Sequence, residues 1–216
     1  MLKTEINNTE IYLLPERAVF MPDSKILFLS DLHLGKTTAF RSAGISVPET
    51  NLISDLERLT LIINSYKPEK MIILGDLFHA RQGKTKAVLE TVSSWRLIHK
   101  DLEITLVEGN HDKNSGKLNA GLNITTAEEP HLIGNFACSH YPPESAPEKF
   151  TLCGHIHPAV RLYDRRHGSA VFRCFHLTKH YLLLPAFGSF TGTHKITPAK
   201  SDRIFVIADD QVLEAG

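Results

Sequence analysis

Two rhythms of apolar residues run along the chain. Short unbroken runs sit within KILFLSDLHLG (residues 25–35), MIILGD (71–76) and EITLVEGN (103–110), and each halts at glycine or polar residues. Runs of that length, bounded in that way, predict strands buried on both faces, the first over residues 26–29. Between them Leu52, Leu56, Leu59, Ile63 and Tyr66 recur three to four residues apart, with Pro48 before and Pro68 after, which predicts a helix from Glu49, over 49–66. A second stripe, Val88, Val92, Trp95 and Ile98 or His99, predicts a helix over 84–100. Upstream, short strands over 10–14 and 17–20, joined near Pro15, lead to a turn at Pro22 and Asp23.

Beyond Gly116 the helical period fades. Residues 131–139 and 150–153 read as strands, each running into a histidine. From Val160 on, strands follow one another over 160–163, 171–177, 181–184, 203–208 and 211–214, with a turn over 164–168. The first half is thus β-α-β-α-β and the second mostly antiparallel β, a pattern that fits two stacked mixed sheets flanked by helices. With 216 residues and no internal repeat, low-complexity tract or long linker, one domain is expected.

Composition narrows the setting. Hydrophobic residues at 42% and charged residues at 22% leave no room for a large disordered tail. No apolar run approaches the roughly 20 residues that a membrane span needs. The opening MLKTEINNTE carries Asn, Thr and Glu where a signal peptide needs an apolar stretch, so a cytoplasmic location is expected. Cys138, Cys153 and Cys174 lack CxxC spacing and fit reduced, buried residues better than disulfides or a zinc site. Lys plus Arg at 24 balance Asp plus Glu at 24, which speaks against an unaided tight grip on long duplex DNA. Histidine, at 12, is the unusual count.

The strand-like runs end in polar residues: Asp31 and His33; Asp76 and His79; Asn110, His111 and Asp112; His140; His155 and His157. In open α/β sheets the functional crevice lies beyond the carboxyl ends of the strands, so these residues are expected along one rim. Any one of them alone is more often a cap or a turn former; their joint placement is what points to a site. Carboxylate, imidazole and amide oxygen suit divalent ions such as Mn, Fe, Zn or Co. Gly75, Gly109 and Gly154 each precede a candidate ligand and let the backbone turn and come close to an ion. His99, His131, His167, His176, His180 and His194 fall outside this pattern and read as structural.

In order, DLH (31–33), GDLFH (75–79), GNHD (109–112), His140 and GHIH (154–157) resemble the signature of the calcineurin-like metallophosphoesterases. LLPERAV (13–19), DLHLGKTTAFRSAGISVP (31–48), GHIHPAVRL (154–162) and LPAFGSFTG (184–192) extend the likeness over nearly the whole chain, to the bacterial DNA-ligase-associated branch. The resemblance implies the metallophosphoesterase-type four-layer α/β/β/α sandwich of two mixed β-sheets flanked by helices. It implies that Asp31, His33, Asp76 and His157 hold one divalent ion, and that Asp76, Asn110, His140 and His155 hold the other, with Asp76 bridging. Mn2+ is the first expectation for both, with Fe, Zn or Co as alternatives.

Such a pair of ions lowers the pKa of water, supplies hydroxide near neutrality and neutralises charge in a phosphoryl transition state. The resemblance implies that His111 assists the leaving group and that Asp112 orients His111. His79 matches a histidine that assists diester cleavage in double-strand-break repair nucleases of the superfamily. Lys36, Arg41 and Arg81 follow motif blocks and are candidate contacts for a phosphate chain, while Lys113 and Arg161 read as solvated. Phe187 or Phe190 is a candidate stacking surface for a base, with core packing at least as strong a reading. The expected function is a two-metal phosphodiesterase acting on nucleic acid, a nuclease of a DNA repair set with a DNA ligase and an associated helicase or nuclease as partners. A phosphomonoesterase or cyclic-nucleotide hydrolase with the same centre is the alternative, and a non-catalytic scaffold the third reading.

Overall fold

In the computed structural model, which describes residues 1–47, 51–164 and 168–215, the three apolar runs are strands β4 (Ile26–Leu29), β5 (Lys70–Leu74) and β6 (Glu103–Val107). Apart from Lys70 and Glu103 at their first positions, every residue in them is buried. They lie parallel, β4 beside β5 and β5 beside β6, so Asp31, Asp76 and Asn110 all emerge at one end of the sheet. Helices α2 (Asn51–Tyr66) and α3 (Lys86–Ile98) make the crossovers. Leu56, Leu59 and Ile62 of α2 and Val88 and Val92 of α3 pack on Leu27, Leu29, Met71, Ile73, Ile104 and Leu106. The α3 stripe closes on half-buried His99, while Ile98 is 75% exposed. Arg96 takes the inward place instead, donating to the carbonyls of Leu122, Leu102 and Asn123. Glu49, expected to open α2, and Pro48 lie outside the described residues.

β1 (Leu2–Ile6), β2 (Thr9–Leu14) and β3 (Ala18–Met21) extend the first sheet antiparallel, and β7 (Thr125–Ala127) adds a parallel edge. The second sheet contains β8 (His131–Ile133), β9 (Phe136–Cys138), β10 (Phe150–Cys153), β11 (Pro158–Asp164), β12 (Gly168–Leu177), β13 (Tyr181–Leu183), β14 (His194–Lys195), β15 (Arg203–Ala208) and β16 (Gln211–Ala215). The single strand expected over 131–139 is a hairpin of β8 and β9, because Gly134, at φ +56°, turns the chain. Residues 165–167 of the expected turn, His167 among them, lie outside the described residues. Most pairings here are antiparallel, but β10 pairs parallel with β9 and β13. That parallel trio carries His140 and His155 to the same rim.

The facing sides of the sheets bury Leu13, Phe28, Ile72, Leu74 and Val107 against Cys138, Leu152, Phe175, Leu182 and Phe205. The two mixed sheets and flanking helices thus match the expected architecture, with the helices concentrated on the first sheet. On the second sheet's other side a smaller cluster gathers Val160, Cys174, Ile204 and Val206. All three cysteines are fully buried, and burial pushes the thiols of Cys138 and Cys174 up to about 12 and that of Cys153 well above its usual value. They act as small hydrophobes. No helix of the described residues is long and apolar enough to cross a membrane.

A candidate metal centre

The loops leaving β4, β5, β6, β9 and β10 bring together Asp31, His33, Asp76, His79, Asn110, His111, His140, His155 and His157. Three groups have donor atoms within 4.8 Å of one another: Asp31, His33 and His157; Asp76, His140 and His155; and His33, His79 and His111, with His33 shared by the first and the third. Asp76 stands between the first two. Its Oδ2 lies 3.6 Å from His33 Nε2, and its Oδ1 lies 3.5 Å from His140 Nε2. Asn110 directs Oδ1 to within 3.1 Å of His140 Nε2. His155 Nδ1 and His140 Nε2 are 3.0 Å apart, and His157 Nε2 is 3.2 Å from Asp31 Oδ1.

This convergence strains the backbone. Asp31, His33, Asp76, His155 and His157 all have positive φ, between +48° and +73°, a region that β-carbon-bearing residues rarely enter. Backbone strain of that kind persists where surrounding structure over-determines it, and it clusters at functional sites. The glycines act through space. A Cβ on Gly75 would sit 2.1 Å from His140 Nδ1, one on Gly109 would sit 2.5 Å from Asp76 Oδ1, and one on Gly154 would sit 2.7 Å from Asp31 Oδ2.

Asn110, His111 and Asp112 open a short helix, α4 (Asn110–Ser115), which the sequence pattern did not signal. The helical turn sends the three side chains in different directions. His111 Nε2 approaches Asp76 Oδ2 at 3.9 Å, and its Nδ1 faces the carbonyl of His79. Asp112 turns the other way, which corrects the expectation that it orients His111. Its carboxylate accepts N–H groups of Gly109 (3.0 Å), Asp76 (2.6 Å) and Leu77 (3.0 Å). Asp112 therefore ties two rim loops together, and the His79 carbonyl sets the His111 ring. Burial keeps the Asp112 carboxyl above its usual range despite those donors.

The donor set fits divalent ions. Asp31 Oδ1 is buried without a hydrogen-bond partner, an uncompensated acceptor of the kind an ion would satisfy. Burial holds His33 down to about 2 and His79 to about 4, and lowers His155, so these imidazoles are neutral with lone pairs available. Burial also pushes Asp76 up to about 6. For Asp31, burial alone would raise the carboxyl, but the closeness of His157, with Nε2 3.2 Å from Oδ1, outweighs it and holds the group below its usual value. His140 and His157 have their other ring nitrogens turned to the carbonyls of Leu74 (2.9 Å) and Gly192 (3.2 Å), the outer bonds that orient metal-binding imidazoles.

Of the remaining candidates, His79 stacks on His111 with ring centroids 4.9 Å apart and places Nδ1 3.3 Å from His33 Nδ1. Lys36 is partly buried, and burial, with the charge of Arg173, lowers its pKa while Asp76 opposes the shift. Arg41 and Arg81 are exposed, the former on α1 (Lys36–Ser42) and the latter on a 3-10 turn. Phe187 is fully buried in the core, whereas partly buried Phe190 meets Phe40 edge to face at 5.7 Å. Sequence reasoning missed Tyr141. It is 40% exposed, its hydroxyl donates to Asn110 Oδ1 at 3.2 Å, and its ring lies 4.4 Å from that of His155. Its adjacency to His140 was the only signal for it.

Two mixed sheets with carboxylates and imidazoles gathered at the ends of their parallel strands define a metal-dependent hydrolase of phosphoric esters. The calcineurin-like phosphoesterase family model matches residues 24–173, and the chain belongs to that family. The crystal structure of the Pseudomonas putida nuclease MPE is similar, with 33% identity, a TM-score of 0.86, and coverage of 98% of this chain and 99% of that one. The E. coli phosphoesterase Yfce is a distant likeness, at 13% identity and a TM-score of 0.44 over 88% of this chain and 97% of that one, too remote to carry an argument. No protein with a curated description matches the sequence.

Proposed function

We propose that this protein is a two-metal phosphodiesterase that cleaves nucleic acid, with all 216 residues acting as one domain. The observation that carries the reading is the placement of Asp76, buried between two histidine groups with one carboxylate oxygen facing each. In this reading Asp31, His33, Asp76 and His157 hold one ion and Asp76, Asn110, His140 and His155 the other, with Mn2+ preferred. Bound there, the pair supplies Lewis acidity and a nucleophilic water. The chain's own groups do the rest. His111 Nδ1 faces a carbonyl and so carries a proton, which leaves Nε2, on the side of Asp76, to hold and release a second one to the departing oxygen. His79, stacked beside it, and Lys36 line the same side and contact the phosphate chain.

A nucleic-acid substrate is supported by the likeness to a protein described as a nuclease. A cytoplasmic location, and a DNA ligase with its associated helicase or nuclease as partners, rest on the branch motifs alone. The test is turnover with Mn2+ of bis-p-nitrophenyl phosphate against p-nitrophenyl phosphate, followed by single-stranded and duplex DNA and RNA. Faster diester cleavage is expected. Preference for the monoester would overturn the phosphodiesterase reading in favour of a phosphatase with the same centre.

A further inference from the structure

The segment LPAFGSFTG carries no catalytic group, yet three arginines from distant parts of the chain converge on it. Arg17, in the turn between β2 and β3, donates from Nη1 to the carbonyls of Phe187 (3.0 Å) and Gly188 (3.3 Å). Arg58, on α2, donates to Ser189 Oγ (3.0 Å) and to the Phe187 carbonyl, with its guanidinium 4.3 Å over the Phe187 ring. Arg173, on β12, donates to Thr191 Oγ1 (3.0 Å) and to the Thr191 carbonyl (2.7 Å). Asp55 completes the arrangement by accepting from Arg58 Nη2 (2.8 Å) and from the Ser189 N–H (3.0 Å).

The strap so held touches one half of the metal centre. Its Phe187 N–H donates to the Ser30 carbonyl (2.8 Å), and its Gly188 N–H donates to the Asp31 carbonyl (3.1 Å). The approach is so close that a Cβ on Gly188 would lie 2.4 Å from the Leu32 carbonyl oxygen. At the far end, the Gly192 carbonyl faces His157 Nδ1 at 3.2 Å. Asp31 and His157 belong to the first group of ligands. His140, in the second, is oriented by the Leu74 carbonyl instead. Gathering three guanidiniums beside Asp55, with Glu16 as a second carboxylate near Arg58, is a poor route to stability alone. Burial lowers the pKa of each, that of Arg17 to about 10, and Arg17 and Arg173 are lowered further by neighbouring guanidinium charge.

We propose that Arg17, Arg58 and Arg173 are positioning residues, a clamp that acts through the strap 187–192 to set Asp31 and His157 for one ion, and that reaches the other ion's ligands only indirectly, through the His155 N–H held by Asp31 Oδ2 at 2.9 Å. The proposal rests on the two-metal reading. Loss of outer bonds that orient ligands commonly weakens metal affinity by about 10–100-fold.

The experiment is equilibrium dialysis with Mn2+, read beside the electron paramagnetic resonance of the bound ions and circular dichroism, on the full chain and on Arg58→Gln, Arg58→Lys and Arg173→Gln. The wild type is expected to take up two ions with a spin-coupled signal. Arg58→Gln and Arg173→Gln should weaken one ion by about 10–100-fold and leave an isolated-ion signal at unchanged dichroism. Arg58→Lys should recover part of the loss, because it keeps the charge without the fork. Equal weakening of both ions, or of neither, would overturn the clamp while sparing the two-metal reading. A wild type that binds fewer than two ions would overturn both. Should Arg58→Gln not fold, Arg173→Gln, at the less buried end of the strap, decides by the same readout.

Discussion

Asn110, His111 and Asp112 are neighbours in sequence, but the first turn of α4 points them at the second ligand group, at Asp76 and His79, and at the backbone of two loops. Their separate duties predict separate defects. Asp112→Asn would set an amide donor against one of the N–H groups of Gly109, Asp76 and Leu77, and is expected to cost roughly 1–3 kcal/mol of stability in a denaturant titration. His111→Ala should keep its ions and its melting temperature but lower turnover of the diester by roughly 10²–10⁴-fold. If Asp112→Asn instead slowed turnover at unchanged stability, its role would lie with the imidazole after all.

Among elements, the parallel strands matter because each delivers its ligands at one end, but the delivery depends on how tightly the strand-end loops pass one another. Gly75 shows the tolerance. It has φ +83°, and an added Cβ would lie 2.1 Å from His140 Nδ1, too close for the imidazole to stay in place. Gly75→Ala is therefore expected to displace His140, to cost on the order of 1–3 kcal/mol from backbone strain, and to lower Mn2+ uptake from two equivalents towards one in equilibrium dialysis. Undiminished uptake of two ions would show that the loop relaxes. The strap 187–192 braces the other half of the site in the same way, as carbonyl and N–H contacts under the β4 loop.

Over the whole molecule, the site sits where both sheets end, so ions bound there would tie β4, β5 and β6 to β9 and β10. Binding to the folded state alone then stabilises it. With free Mn2+ at a hundredfold excess over the dissociation constant, each site should contribute about 2.7 kcal/mol, and EDTA should lower the melting temperature measured by calorimetry. A melting temperature indifferent to both would remove the ion sites. Much of this was legible in the sequence. The apolar runs marked β4, β5 and β6, and the three-to-four spacing marked α2 and α3, because burial on two faces and burial of one stripe leave different patterns. Shorter elements, β7, β14, α1 and α4, hold too few residues to show a period, β1 buries only Ile6 and so carries no apolar run, and the hairpin of β8 and β9 turned on one glycine.

By itself the sequence determined the types of the principal strands and helices, the order of the polar blocks that end the strands, and the chemistry those blocks offer to an ion, because each is written in local spacing. Tertiary structure alone decided that Asp112 serves the backbone, that Tyr141 stands at the rim, that Ile98 faces out while Arg96 turns in, and that three arginines hold one strap. Those outcomes depend on contacts between residues separated by anything from 18 positions, as with Arg173 and Thr191, to 170, as with Arg17 and Phe187, and a linear pattern carries no record of them.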